Sequence, residues 1–278
     1  MPISHFDLHS HSTRSDGLMH PTELVERAAQ RGVHALALTD HDEVSGLPQA
    51  RAAAERTGIR LIDGVEVSVS WNRHTLHIVG LEVDPEDDVL VEGLRKNRSG
   101  RDARAKRIAE QLESIGISGA FDGARAYASN PELVSRTHFA RYLVDNGHAR
   151  NTQAVFDRYL GAGKPGYVPH DWAQLGEALA WITAAGGLPV LAHPGRYKID
   201  SAEQTALLEE FKELGGVALE VLTSSHTSEQ SLYWGKLAVR YGLLASAGSD
   251  FHGLGESYRD LGDLPPLPSG CTPVWTRL

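Results

Sequence analysis

The chain has 278 residues, of which 41% are hydrophobic and 23% charged, values typical of a globular protein with one large or two small domains. Its formal net charge of −9 argues against sequence-blind binding to duplex DNA, and no apolar run reaches the ~18 residues of a membrane span. The single cysteine, Cys271, and the absence of a signal-like N-terminal segment predict a cytoplasmic protein. The 14 histidines are unusually many, and metal binding is the commonest reason for such a density.

Helix and strand patterns alternate in the first part of the chain. They predict an amphipathic helix at 21–31, a strand at 34–39, a second helix at 48–57, and strands at 60–69 and 75–81. The last two strands pair either in parallel or as a hairpin. This alternation is typical of an α/β fold, and in barrels of this class the site lies where the strands end.

The strand signals disappear near residue 87 and return only after residue 169. Helical patterns dominate in between, above all at 89–114 and 152–160. We therefore expect residues 87–169 to form a helical insertion over the site, with residues 1–86 and 170–278 forming the barrel domain.

The insertion carries a basic cluster, which we interpret as a solvent-exposed helix face in preference to a ligand-binding surface. The cluster consists of Arg95, Lys96, Arg98, Arg101, Arg104, Lys106 and Arg107. Lys164, in the glycine-rich end of the insertion, is interpreted as a surface lysine.

The alternating pattern resumes in the last third of the chain. Helices are predicted at 172–185, 201–214 and 228–241, and strands at 188–192, 216–222 and 243–247. The chain then has about seven strands outside the insertion. Nearly every one of them presents a histidine or a carboxylate at or near one end, which a random scatter of such residues would not favour.

These side chains form the candidate metal ligands. His9 and His11 are two residues apart, so at a strand end both rings point to the same side. Glu66 lies between Val65 and Val67 in an apolar strand, where an ionised carboxylate is costly unless it is paired or metal-bound. The full candidate set is His9, His11, Asp16, His41, Glu66, His77, His193, Asp250 and His252.

Imidazole and carboxylate donors together favour Zn, Mn or Fe over Ca or Mg. A catalytic zinc ion takes three protein ligands, so nine donors suffice for three ions. Paired ions ~3.5–4 Å apart clamp both oxygens of an in-line displacement at phosphorus, which makes the set typical of a phosphoesterase. Taken singly, His41 between two aspartates also fits a surface ion pair, and His77 also fits a hydrogen-bonded core histidine.

Phosphate-binding candidates lie near these residues in the sequence. Arg136 and His138 precede an apolar helix, and Arg196 follows the turn of His193; arginine suits bidentate contact with phosphate. A structural salt bridge for Arg136 and a solvated turn for Arg196 stay open as alternatives. Ser225 and His226, which follow a strand, are further candidates for substrate contact.

Two aromatic side chains, Tyr197 and Trp71, are candidates for stacking on a nucleobase. Plain packing at the rim of the barrel is the alternative for both.

The chain resembles the PHP family, named for polymerase and histidinol phosphatase, within the amidohydrolase superfamily. The motifs that carry the resemblance are Asp7-Leu-His-Ser-His11, Thr39-Asp-His-Asp42, Gly64-Val-Glu66, His77, Ala192-His-Pro194 and Gly248-Ser-Asp-Phe-His252. The resemblance implies a distorted (β/α)7 barrel and three divalent metal ions, with manganese expected first and iron or zinc as alternatives.

The resemblance also implies how the ligands are shared among the three ions. His9, His11, Glu66 and Asp250 would hold one ion. Glu66, His77 and His193 would hold the second. Asp16, His41 and His252 would hold the third.

Within the family, the insertion and the segment Ser135-Arg-Thr-His-Phe-Ala140 resemble the 3',5'-nucleoside bisphosphate phosphatases. This implies removal of the 3'-phosphate from a nucleoside 3',5'-bisphosphate, which yields a nucleoside 5'-monophosphate and phosphate. Asp250, His193 and Arg136 are the expected catalytic residues. A site histidine, His193 or His226, and metal coordination are the open alternatives for protonating the leaving oxygen.

Other activities remain as alternatives. The nearest are 5'-to-3' exonuclease action on short RNA and hydrolysis of histidinol phosphate. A non-catalytic metal-binding module and C–N bond hydrolysis are the remaining ones. The expected partner is a phosphorylated nucleotide, with short RNA as the alternative.

Overall fold

The computed structural model describes residues 6–278. Its strands are β1 (Phe6–Asp7), β2 (Ala35–Leu38), β3 (Arg60–Trp71), β4 (His74–Leu81), β5 (Ala173–Gln174), β6 (Leu188–Leu191), β7 (Ala218–Leu222) and β8 (Leu244–Ala247). Seven of them follow the order β1-β2-β3-β4-β6-β7-β8, while the two-residue β5 pairs with β3 off this path.

The seven-stranded sheet curves into a barrel. The Leu8 N–H donates to the Ala247 carbonyl oxygen at 2.9 Å, and Ser10 pairs with Phe251, so the last strand meets the first. Strand β4 runs antiparallel to β3 and β6, whereas the other neighbours in the barrel are parallel. The predicted distorted α/β barrel is confirmed. The two strands predicted at 60–69 and 75–81 pair as an antiparallel hairpin, which was one of the two alternatives.

Helices surround this sheet on its outer face and extend above one end. They are α1 (Pro21–Gln30), α2 (Leu47–Thr57), α3 (Asp88–Arg98), α4 (Arg101–Glu113), α5 (Ala120–Tyr127), α6 (Arg136–Asp145), α7 (Thr152–Val155), α8 (Leu175–Ala184), α9 (Ser201–Glu213) and α10 (Ser228–Tyr241). A π-helical turn, Phe156–Leu160, continues α7.

Two predicted helices were wrong in their extent. The run predicted at 89–114 is two helices that separate at Ser99 and Gly100. At Gly100, between the two helices, a Cβ atom would lie 2.3 Å from the ring of His170, so the packing there requires glycine. The helix predicted from residue 172 begins only at Leu175, because residues 173 and 174 pair with β3.

The helices between β4 and β5 belong to two hydrophobic clusters. Leu90 and Leu94 of α3 pack into the barrel's cluster, together with Trp181 of α8. Helices α4–α6 share a separate cluster, which contains Leu112 and Phe139. Helix α3 therefore packs as a barrel helix and the later helices form their own core, while the domain boundary at residue 87 stays a prediction.

Within residues 6–278 the structure contains no helix that is both long and apolar enough to span a bilayer.

Candidate metal centre and arginine cleft

The His-x-His segment begins one residue after β1. The Asp7 carboxylate anchors it to the neighbouring loop, since it accepts hydrogen bonds from the Ser249 N–H at 2.7 Å and the Gly262 N–H at 2.9 Å. His9 and His11 are both buried, and their ring centroids are 5.1 Å apart. The two rings therefore face the same interior space at the strand ends, as their spacing predicted.

Glu66 lies at the centre of this space. Its Oε1 is 2.9 Å from His77 Nδ1 and 2.9 Å from His193 Nε2. Its Oε2 is 2.8 Å from His41 Nδ1. The fully buried carboxylate is thus surrounded by imidazoles from strand β4 and from the segments that follow β2 and β6.

Asp16, Asp250 and His252 complete the cluster from two loops. Asp250 Oδ1 lies 3.2 Å from His11 Nε2, and its backbone is held at a φ of 52°. Asp16 Oδ1 lies 3.4 Å from His252 Nε2 and 3.8 Å from His41 Nε2. Residues separated by more than 200 positions in the chain therefore converge on one site.

The nine donors form one continuous cluster, and the sharing of these ligands among three ions stays a prediction. Their ligand atoms lie within 4.8 Å of one another in four overlapping groups. These groups are His11, Asp16, His41 and His252; His9, Glu66 and His193; His9, His11 and Asp250; and His41, Glu66 and His77. His9, His11, His41 and Glu66 thus each belong to two groups.

The chemistry of the donor set fits divalent cations. His9 Nε2 and Asp16 Oδ1 are buried without a hydrogen-bond partner, although buried polar atoms are normally paired. Burial opposes ionisation of Glu66, but His77, His41 and His9 outweigh it and hold the pKa of this carboxyl well below its usual range. Burial also lowers the pKa of His11 to about 3, so this ring is neutral, as ligation requires.

Burial would lower the pKa of His252 too, but Asp16 and Asp250 outweigh it and raise that pKa to about 9. Ligation by His252 would therefore displace a proton, which couples metal binding to pH.

Further carboxylates hold the segments that carry the ligands. Asp40 accepts hydrogen bonds from the Ser12 N–H at 2.8 Å and the Ser15 hydroxyl at 2.5 Å, which fixes the loop between His11 and Asp16. In the sequence, Asp40 stands out only as a flank of His41. An aspartate at the end of an apolar strand, facing a serine-rich loop, is the signal that could have revealed this role.

A row of arginines lies across the cleft from the donor cluster. The cleft is lined by Arg101, Arg104, Arg136 and Arg196, and also by Phe156, Trp172 and several of the donors. The prediction of a solvent-exposed helix face was correct for Arg95, which pairs with Glu92, but wrong for Arg101 and Arg104, which are buried.

Arg101 and Arg104 stack against one indole ring. Their guanidinium carbons lie 4.5 Å and 5.4 Å from the ring centroid of Trp172. Arg101 also donates to the buried Asp42 carboxylate, which ties α4 to the loop after β2. Arg104 donates only to a backbone oxygen, that of Val168, at 3.1 Å.

Arg136 begins α6. Among the described residues that line the cleft, it is the second arginine, after Arg104, without an acidic partner. Among the described residues, neither Arg104 nor Arg136 forms a salt bridge; the contacts of Arg136 are a long one of 3.5 Å to the Leu160 carbonyl and the ring of Phe156. Burial lowers the pKa of Arg136, and burial with the nearby Arg136 and Arg101 lowers that of Arg104 to about 9. An anion bound between them would relieve this repulsion.

Arg196 lines the opposite side of the cleft. Its Nη1 donates to Asp250 Oδ2 at 2.9 Å, and half of its side chain is exposed. The alternative of a solvated turn therefore describes Arg196 only in part. Its guanidinium contacts solvent on one side and the donor cluster on the other.

His138 and His226 are both used in local hydrogen bonds outside the cleft lining. His138 Nδ1 accepts from the Ser135 N–H at 3.0 Å and so caps α6. His226 Nε2 accepts from the Gly195 N–H at 2.9 Å, and its Nδ1 lies 3.1 Å from the Val221 carbonyl oxygen. Because both nitrogens of His226 are engaged, it holds the turn before Arg196.

The other substrate-contact candidates also lie away from the cleft lining. Ser225 Oγ is buried without a hydrogen-bond partner. The Tyr197 hydroxyl donates to the Ala192 carbonyl oxygen at 2.8 Å, and Trp71 Nε1 donates to Glu210 at 2.7 Å. Neither aromatic ring lines the cleft, so plain packing describes them better than stacking on a base.

The chain is similar to known proteins over nearly its whole length. The family model described as PHP domain matches residues 7–224. A 3',5'-nucleoside bisphosphate phosphatase from Chromobacterium violaceum is 50% identical, covering 99% of this chain and 97% of the relative. A 5'-3' exoribonuclease from Haemophilus influenzae is 41% identical over 98% of each chain.

Solved structures agree with these relatives. An amidohydrolase from Chromobacterium violaceum, solved with bound sulfate and no metal, has a TM-score of 0.96 at 49% identity and covers 99% of this chain and 95% of that chain. A metal-dependent phosphoesterase from Bifidobacterium adolescentis has a TM-score of 0.83 at 29% identity, with the same coverage. The barrel and its insertion are therefore shared as a unit with these proteins.

Proposed function

The chain belongs to the PHP domain family, and on this premise we propose that it is a metal-dependent phosphatase acting on nucleoside 3',5'-bisphosphates. It would remove the 3'-phosphate and release a nucleoside 5'-monophosphate and phosphate. The observation that carries the proposal is that a metal-type donor cluster faces two arginines without acidic partners, Arg104 and Arg136, across one cleft. A substrate with two phosphates would place one at the donor cluster and the other at these arginines. The relative at 50% identity is a phosphatase of this kind.

The donor cluster would hold divalent ions, which we propose are three in number and manganese first, with iron or zinc as alternatives. Such ions neutralise charge on the phosphoryl oxygens and activate the attacking water. The nine residues proposed as ligands are His9, His11, Asp16, His41, Glu66, His77, His193, Asp250 and His252.

The chain's own cations would bind the two phosphates separately. Arg196, at the edge of the cluster, would contact the phosphate that is hydrolysed and would exchange its contact with Asp250 for one with a phosphoryl oxygen. Arg136, with Arg104, would hold the second phosphate through charge-assisted hydrogen bonds. This second contact positions the substrate, since it fixes the distance between the reacting phosphorus and the cluster.

Neither of the two candidate histidines, His193 and His226, is well suited to protonate the leaving 3'-oxygen. Burial lowers the pKa of His193 to about 3, so this ring carries no proton to give at neutral pH. His226 has both nitrogens engaged in backbone contacts. We therefore expect water to supply this proton.

Exonuclease action on 5'-phosphorylated RNA is the second candidate. Release of the first nucleotide would break the same bond, between phosphorus and the 3'-oxygen, with the rest of the strand attached to that phosphorus. The exposed side of Arg196 supports it, because a strand attached there would meet solvent. Relatives at 41% identity are 5'-3' exoribonucleases.

The test measures product release by protein loaded with manganese, iron or zinc. The substrates are adenosine 3',5'-bisphosphate, the 3'- and 5'-monophosphates, histidinol phosphate and a short 5'-phosphorylated RNA, each repeated with Asp250→Asn. We expect turnover of the bisphosphate that depends on Asp250, with little from either monophosphate. Faster mononucleotide release from RNA would favour the exonuclease, and a preference for histidinol phosphate would overturn both.

A further inference from the structure

A second buried glutamate, Glu220, lies directly behind the donor cluster. It belongs to β7 and is 2% exposed. Its Oε1 lies 3.0 Å from His9 Nδ1, and its Oε2 accepts a hydrogen bond from the His193 N–H at 2.6 Å. One carboxylate thus contacts two residues of the cluster that come from opposite ends of the chain.

The contact with His9 determines which nitrogen of that ring carries the proton. An ionised carboxylate only accepts hydrogen bonds, so His9 Nδ1 must be the protonated nitrogen. Its Nε2 is then free to point its lone pair at the cluster, where it lies 3.4 Å from Glu66 Oε1 and 3.5 Å from Asp250 Oδ1. In metal sites, such a second hydrogen bond orients the ring and increases its strength as a ligand.

The contact with His193 holds a strained backbone. His193 has a φ of 29°, a conformation that residues other than glycine rarely adopt. Such a conformation persists when surrounding contacts over-determine it, and the hydrogen bond from the His193 N–H to Glu220 is one such contact. The same carboxylate therefore fixes the ring of one ligand and the backbone of another.

The surrounding chain leaves room for this arrangement. At Gly248 a Cβ atom would lie 2.3 Å from His9 Cβ and 2.9 Å from Glu220 Oε1. Any larger residue would push the His9–Glu220 pair apart. The glycine before the Asp250 turn is thus required by the packing of this pair.

We propose that Glu220 is a positioning residue of the metal centre, which sets the tautomer of His9 and the backbone orientation of His193 so that both present a lone pair to the ions. The inference rests on the proposed function only in that the donor cluster binds metal, and it makes no assumption about the substrate.

Replacement by the isosteric amide separates this role from simple packing. In Glu220→Gln the side chain keeps one acceptor and gains an NH2 donor. If the oxygen serves His193, the NH2 group faces His9 Nδ1 and moves the ring proton to Nε2. If the oxygen serves His9, the NH2 group faces the N–H of His193 and leaves it unpaired.

The test measures manganese and zinc affinity of the metal-free protein by competition with a chelator, together with the side-chain 15N shifts of His9. We expect Glu220→Gln to weaken the tightest binding by about 10–100-fold. In the metal-free variant, at a pH at which the His9 ring is neutral, we expect the His9 15N pattern to shift towards the Nε2-protonated tautomer. Glu220→Asp, which keeps the charge, should recover part of the affinity if the amide variant folds poorly.

Glu210→Gln is the matched control, because it changes a glutamate that bonds the Trp71 indole away from the cluster. Wild-type metal affinity and an unchanged His9 tautomer in folded Glu220→Gln would overturn the inference. Wild-type protein that binds metal tightly but releases no phosphate from the bisphosphate would instead count against the proposed function and leave Glu220 in place.

Discussion

The two sides of the cleft differ in where their residues come from. The donor cluster is built from side chains of the barrel strands and of the loops that follow them, so its members are held by the closed hydrogen-bonded barrel. Two of the arginines that face it, Arg104 and Arg136, come from inserted helices whose core is separate from that of the barrel. One side of the cleft is therefore a cluster of metal-type donors held by the barrel. The other side is a cationic surface carried by helices with their own hydrophobic core.

Polar contacts join helix α6 to the loops of the barrel. Arg141 of α6 donates to the Asp16 carbonyl oxygen at 2.6 Å and to both oxygens of Glu256 at 2.7 Å. Ser135, the N-cap of the same helix, donates to Asp16 Oδ2 at 3.1 Å. The loop that carries Asp16 therefore positions the start of α6 and with it Arg136. Asp16 thus belongs to the donor cluster and also contacts the helix that carries the phosphate-binding candidate.

The largest effect is expected from removing the negative charge of Glu66 at the centre of the donor cluster. Glu66→Gln should lower phosphatase activity by on the order of 10³-fold or more, because loss of a single stabilising contact already costs about 10²–10³-fold. It should also lower the metal content, measured by elemental analysis. Glu203→Gln, which changes a carboxylate 3.2 Å from His74 outside the cleft, is the control and should match the wild type. Full metal content together with full activity in Glu66→Gln would contradict the proposed metal centre.

An intermediate effect is expected on the arginine side. Arg136→Met should lower kcat/KM for the 3',5'-bisphosphate by about 10–100-fold, as expected for loss of a hydrogen bond to a charged group. The same variant should change hydrolysis of the 3'-monophosphate little, since that substrate lacks the second phosphate. Arg95→Met removes an exposed arginine paired with Glu92 and serves as the control. An equal loss on both substrates would show that Arg136 does not read the second phosphate.

The smallest effect is expected from His138, which supports the arginine side. Burial lowers the pKa of His138 to about 4, from an ordinary 6.5, so the folded protein resists protonation there. Stability that is present above pH 6.5 is then lost as the pH falls towards 4, by up to about 3 kcal/mol. His138→Gln keeps an acceptor for the Ser135 N–H, as capping boxes do, and should flatten this loss.

Thermal unfolding of wild type and His138→Gln between pH 7 and pH 4 checks this prediction. The histidines of the cluster contribute equally to both proteins, so the difference in Tm isolates His138. His148→Gln, another histidine of the insertion, is the control. Parallel curves for wild type and His138→Gln would show that the cap does not titrate in this range.

Part of the site could be predicted because the signal was local. Glu66 was found from its position between two valines, where an unpaired carboxylate is too costly to bury. Glu220 lies in the equally apolar run Ala-Leu-Glu-Val-Leu and could have been found by the same reasoning. It was missed because it matched no motif and did not lie at a strand end.

Arg136 and Arg196 were predicted as phosphate contacts, but Arg101 and Arg104 could not be assigned to the cleft from the sequence. Arg95, Arg101 and Arg104 all lie in one basic, helical run, and the sequence gives each the same description. Only the packing of α4 against Trp172 and the loop after β2 buries Arg101 and Arg104 and leaves Arg95 on the surface. The assignment of the ligands to three separate ions also depends on distances, and the donors overlap in four groups.

The sequence by itself determined the barrel, the identity of the donors and their convergence at the strand ends, because strand periodicity and chain reversal place such residues at one edge of a sheet. The tertiary structure alone decided that Arg101 and Arg104 join Arg136 and Arg196 in the cleft, and that Glu220 contacts His9 and His193 behind the donors. These placements depend on contacts between segments that are distant in the sequence, whose relative position follows from how the barrel closes and how the helices after β4 pack on it.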